Sequence, residues 1–223
     1  MPDPLPARDL AELDPRLQLL DWRRRVAELY GDVRDRSRTD PAAAHEHWAL
    51  VREHLLRTHP QSPVPAELRD GFRLRVAPYD PAYRFVAEVE PHPEDGDGPQ
   101  VRDVTTGTDG VVRLERRGLV RLGELGTLDV WWVAGYGGGV FVPLRDATSG
   151  AEDPSPTSYG GGRYVLDTAK GADLGGDGGA LVLDLNLAYP PSCAYDPAWA
   201  CPLPGAGNRL EAAVPVGEFG PAV

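Results

Sequence analysis

The stretch 141–210 reads FVPLRDATSG (141–150), then a loop holding proline and serine, then YGGGRYVLDT (159–168), LVLDLNLAYPPSCAYDPAWACPLP (181–204) and Asn208-Arg209-Leu210. Its apolar residues recur at the two-residue period of a β-strand. Set among them are hydrogen-bonding side chains: Arg145, Asp146, Thr148, Arg163, Asp184 and Asn186. A hydrophobic core gains nothing from such groups, because burying each costs about 1–3 kcal/mol unless it finds a partner. The stretch therefore carries either a binding or catalytic site or a structural polar network.

Working outward, the two-residue period extends back to Val101. It predicts strands at 101–105, 111–116, 119–122, 127–134, 140–145, 163–168 and 181–188, with glycine-containing turns between most of them. In 127–134, Leu128, Val130 and Trp132 alternate with Asp129, Trp131 and Val133, so both faces are expected to be buried. In 181–188 the four leucines take one face, and Asp184 and Asn186 are expected side by side on the other. Such a series of short strands is an antiparallel meander, closed into a barrel or folded into a sandwich.

Upstream the period changes. Residues 1–13 are proline-rich and expected to be a disordered tail. Asp14-Pro15 and Asp40-Pro41 each pair an N-cap acceptor with a proline suited to the first helical position. The first predicted helix has Leu19, Trp22, Val26, Leu29, Tyr30 and Val33 as its apolar stripe; the second has Trp48, Val51 and Leu55 and ends near Arg57. Together they form a helical hairpin over 14–60, followed by an extended PQSPVP linker and a β domain over 66–218. The expected fold is α+β: two amphipathic helices on a mostly antiparallel, barrel-like meander of about seven strands, in one structural unit.

With 223 residues and a net charge of −11, the chain lacks the basic face that nucleic acid or an anionic membrane would require. No apolar run reaches the length of a membrane span, and no basic-then-apolar leader opens the sequence, so a cytoplasmic location is expected. Cys193 and Cys201 allow a disulfide, a thiolate pair or two small residues packed in a loop, and the flanking Tyr189, Tyr195 and Trp199 favour the packed loop. His47 and His54 share a helix face with no further ligand pattern beside them, so His45, His47 and His54 read as surface histidines and no metal or other cofactor is expected.

FVPLRDATSG, TSYGGGRYVLD, LVLDLNLAYPPSCAYDPAWACPLP and NRL followed by VPVGE, in this order, closely resemble the bacterial family known as Domain of Unknown Function 1684. The likeness extends to the Trp22-Arg23 helix, Gln61-Ser62-Pro63 and Pro78-Tyr79-Asp80-Pro81, and so spans about residues 20–218. Leu144 and Leu185 stand where the family usually has phenylalanine, and Pro190 where it has asparagine. The resemblance implies a family and no activity.

Three functional readings follow from the residues. In the first, a small molecule, with an anion favoured by the arginines, binds in a barrel pocket formed by Arg145, Thr148, Tyr159, Arg163, Tyr164, Asn186, Asn208 and Arg209. In the second, Asp146 or Asp184 is the base of a hydrolase or lyase, with Arg145 and Arg163 holding the substrate. In the third, the same residues form a satisfied network that serves structure or interaction. The run 159–163 leads into a strand rather than a helix, so it is expected to be a tight strand entry and not a phosphate cradle. The pattern leaves the oligomeric state open.

Overall fold

The computed structural model describes residues 10–92, 98–105, 110–151, 157–200 and 202–220. Cys201 and residues 1–9 lie outside them, and with them the choice between packed loop, disulfide and thiolate pair for Cys193 and Cys201 and most of the expected tail.

Both predicted helix starts are present. α1 (Pro15–Arg36) is capped by Asp14, whose carboxylate accepts from the Arg16 amide, and α2 (Pro41–Thr58) by Asp40, which accepts from the Ala43 amide. The two helices form an antiparallel hairpin. In α1 the buried stripe is Leu29, Tyr30 and Val33; Leu19, expected to join it, is 39% exposed because the first half of the helix runs past the core. Among the described residues no helix is long and apolar enough to cross a membrane.

Seven strands follow among the described residues: β1 (Arg84–Glu88), β2 (Val101–Thr105), β3 (Val111–Arg121), β4 (Thr127–Ala134), β5 (Gly139–Leu144), β6 (Arg163–Asp167) and β7 (Ala180–Asp184). β2 to β6 form an antiparallel meander in chain order, while β1 and β7 pair separately as a two-stranded ribbon. The ribbon meets the meander through single bridges, Glu90 with Leu119 and Tyr164 with Tyr189. The expected barrel is therefore replaced by two antiparallel sheets that touch at isolated points without closing.

Three local expectations are also corrected. The runs 111–116 and 119–122 are one strand, β3, with a bulge between Arg116 and Gly118 where a break was expected. The run 181–188 stops as a strand at Asp184, whose side chain accepts from the Asn186 amide and caps a 3-10 turn at Leu185–Leu187. Trp132, expected inside, is 39% exposed.

The meander separates two apolar layers. Val120, Leu122, Leu128, Val130, Val142 and Leu144 face the main core, together with Leu183, Leu185 and Leu187 and the helical residues Leu29, Tyr30, Val33 and Trp48. On the opposite face Leu114, Trp131, Phe141 and Tyr164 form a second cluster. That face is covered by the segment after Tyr189, which reaches it through Tyr164 to the Pro202 carbonyl and Arg102 to the Leu203 carbonyl.

Gly118, at the bulge, has φ 154°, and a Cβ there would collide with the Glu90 carbonyl that bridges the two sheets. Gly118→Ala is expected to cost roughly 1–3 kcal/mol of stability in urea denaturation. Gly123→Ala, at φ 58° with open space around it, is expected to cost less. Equal losses would mean that the Glu90 contact plays no part.

Candidate functional site

The sequence candidates separate into three places. The first is built around Asp146, just past the end of β5, and Arg163, at the start of β6; both side chains are fully buried. Arg163 Nη2 donates to Asp146 Oδ2 at 2.8 Å and to the Val214 carbonyl at 2.9 Å, and Nη1 donates to the Val216 carbonyl. Asp146 Oδ1 accepts from the Thr148 amide at 2.9 Å, the Thr148 hydroxyl at 2.7 Å and the Val214 amide at 3.1 Å. Ser158 extends the network, 2.8 Å from the Thr148 hydroxyl. Both carboxylate oxygens thus accept hydrogen bonds from the protein.

The second place is Asn208, also fully buried. Pro143 has no N–H to offer the ladder, and the β4–β5 pairing stops at Trp131 and Phe141. The Asn208 amide takes over there, donating to the Asp129 and Pro143 carbonyls, each at 2.9 Å, while its oxygen accepts from Trp131 Nε1 at 2.8 Å. The neighbouring backbone joins Arg145 to Arg209 by a parallel bridge. The Tyr159 hydroxyl, farther along, donates to the Cys193 carbonyl at 3.4 Å.

Asp184 and Asn186 make up the third place. Asn186 donates from its amide to Asp184 at 2.8 Å and to the Asp80 carbonyl at 2.9 Å, and accepts from the Asp80 amide at 2.8 Å. Burial pushes the Asp184 carboxyl above its ordinary 3.8, opposed by the Asn186 hydrogen bonds and the Arg84 charge. Arg84 Nε stands 3.5 Å from its other oxygen. Tyr79 lies against the same carboxylate, and burial first, then that charge, pushes its phenol up to about 12.

Asp184 is set between two openings. On the Arg84 side is a cleft of about 20 Å³, with Arg34 and Ser37 on its other wall, which is room for one water. On the Tyr79 side is a groove of about 320 Å³ between α2 and the segment 76–79. Ala42, His45, Glu46 and Ala49 share one face of α2 and form its helical wall, with the two alanines leaving the space. His45 was expected at the surface but is only 5% exposed, its ring 5.8 Å from that of Tyr79. Burial pushes its pKa down, so the imidazole is neutral near pH 7.

Comparison with known proteins points to a family without an assigned activity. The model of the protein family of unknown function DUF1684 matches residues 72–219. A solution NMR structure of an uncharacterized protein of Haloarcula marismortui is similar at 36% identity, with a TM-score of 0.52, covering 77% of this chain and 89% of that one. The chain belongs to the DUF1684 family. No curated protein matches it.

Sequence reasoning missed a further cluster in this DUF1684 protein. Arg52 on α2 donates to Glu218 at 2.6 Å and to the Tyr195 hydroxyl at 3.3 Å, and Tyr195 donates to the same carboxylate. The Arg52 guanidinium also lies 4.6 Å from the Tyr189 ring centroid. Glu218 is buried, and burial outweighs Arg52 in raising its carboxyl above 4.5. The available signal was Arg52 adjoining the apolar stripe of the second helix. Among the described residues no group of three or more His, Cys, Asp or Glu side chains could hold a metal ion.

Two outcomes are expected. Asp146→Ala leaves the Arg163 guanidinium buried without its counter-charge and is expected to lose about 3–5 kcal/mol in urea denaturation; a loss below 1 kcal/mol would refute the network as described. For Asp184 the folded pKa is raised, so its contribution to stability is complete below 3.8 and is lost as pH rises through the folded value. Asp184→Asn cannot ionise, so its melting midpoint relative to wild type is expected to rise between pH 3.8 and neutrality. A difference independent of pH, or one that falls, would contradict the assigned direction.

Proposed function

We propose that this DUF1684 protein is a small-molecule-binding protein and that its ligand occupies the groove between α2 and residues 76–79. The observation that carries this reading is the coincidence of open volume with perturbed groups. About 320 Å³ lies at the lower end of the range for ligand pockets. Its walls hold a neutral buried His45 and a Tyr79 backed by the raised carboxylate of Asp184. Convergence of shifted groups on a concavity is the usual mark of a functional site.

On this reading Asp146, Arg163, Thr148 and Asn208 serve the fold. Each is held by protein partners, with only Arg163 Nε left unpaired among their buried polar atoms, and both Asp146 oxygens already accept hydrogen bonds. Asn186 works at one remove, fixing Asp184 and the Asp80 backbone beside Tyr79.

A thermal-shift screen of a metabolite library tests the proposal on three proteins: wild type, Ala49→Leu, which fills the groove, and Arg113→Ala, which removes a surface ion pair on β3. A ligand at one hundred times its Kd adds about 2.7 kcal/mol of stability. Hits are expected with wild type and Arg113→Ala and are expected to vanish with Ala49→Leu. Hits that survive in Ala49→Leu, or a screen with none, would overturn the reading.

A further inference from the structure

Resting on the groove reading above, we infer that the ligand class is a small organic cation, an amine with an apolar or aromatic body, its ammonium at Glu46 and its body against His45 and Tyr79. The wall chemistry sets the body. Ala42, Ala49, Val76, Ala77 and Pro78 contribute apolar side chains, and the His45 and Tyr79 rings are tilted 52° to one another beside them. Two aromatic faces beside open volume suit an aromatic ring or the face-on approach of a cation.

Charge sets the polar end. Glu46 is exposed and, among the described residues, is the one formally charged side chain in the groove lining. His45 adds no positive charge, and Asp184, the charge behind Tyr79, is negative. The nearest cation along the same helix face, Arg52, is committed to Glu218. Arg84 reaches Asp184 from the far side, where the small cleft opens. An anion entering the groove thus meets a carboxylate at the rim and no guanidinium in the walls. The arginines that suggested an anionic ligand in the sequence lie elsewhere: Arg163 is sealed against Asp146, and Arg145 is at the bridge to Arg209. With a net charge of −11 over the whole chain, the long-range field also favours cations.

Three probes of one shape and different charge separate the possibilities: phenethylamine, 2-phenylethanol and phenylacetate, titrated calorimetrically at low salt into wild type, Glu46→Gln and Ala49→Leu. Glu46 is exposed, so its glutamine variant retains the fold. Phenethylamine is expected to bind wild type about fivefold tighter than the alcohol, the scale of one exposed ion pair, with phenylacetate the weakest. Glu46→Gln and 0.5 M salt are each expected to erase the preference for the amine, and Ala49→Leu is expected to abolish all binding. Equal binding of amine and alcohol in wild type, tightest binding of phenylacetate, or a preference that persists in Glu46→Gln overturns the cation inference. If binding is lost in Ala49→Leu all the same, the groove reading survives that outcome. Absence of binding by all three probes also overturns the inference, while the groove reading is then decided by the library screen.

Discussion

The contact on which the structure most depends is the Arg163–Asp146 pair. Taking two such charges fully out of water costs several kcal/mol per ion, and their mutual attraction offsets this only when the remaining donors and acceptors are also satisfied. Here the Val214 and Val216 carbonyls take up Nη2 and Nη1 of Arg163, and the Val214 amide and Thr148 take up Asp146, while Arg163 Nε has no hydrogen-bond partner among the described residues. These partners lie in two places, Thr148 and the segment 214–216, so the pair ties the end of β5, the start of β6 and the segment 214–216 to one another. Close packing also explains the glycine directly before Arg163. Gly162 has φ 87°, and a Cβ on it would strike the Leu144 carbonyl and lie 2.8 Å from Pro204. The YGGGR run is an entry to a strand whose first side chain is a buried cation.

Much of the architecture was legible because it rests on short-range rules. Asp-Pro marks both helix starts, and two-residue alternation finds β2, β4, β5 and β6 to within a residue or so. Errors arose where one local signal had two structural meanings. Gly118 looks like a turn, yet it is a bulge inside β3, because a carbonyl from residue 90 needs the space of its missing side chain. Asn186 looks like a strand position, yet Asp184 turns back to cap it. The barrel was expected because a meander with good alternation needs somewhere to put its edges; here the ribbon of β1 and β7 comes alongside through single bridges.

The candidate residues were recognised for a sound reason, polar groups in apolar strands, but that reason does not separate a site from a clamp. Asn208 shows the difficulty. Its value comes from Pro143, sixty-five positions away, which interrupts the β4–β5 ladder and leaves carbonyls for the amide to satisfy. Nothing near Asn208 in the sequence carries that information. His45 was passed over for the complementary reason: it adjoins a helical stripe, and its burial depends on the segment 76–79 packing across it.

This division of polar groups has a consequence for where chemistry can occur. Asp129, Asp167, Asp184 and Glu218 are all buried carboxylates raised above their ordinary values by desolvation, so negative charge in the interior is costly and depends on nearby cations. Arginines offset it at close range: Arg116 at Asp129, Arg84 at Asp184 and Arg52 at Glu218. Withdrawing any of these cations to meet an anionic ligand would leave a buried carboxylate without its counter-charge, a loss of several kcal/mol that a single new ion pair does not recover. A ligand that asks nothing of the buried arginines avoids that loss. The groove along α2 is such a place, because Ala42 and Ala49 open it without disturbing any charge pair and its one formal charge, Glu46, still faces water.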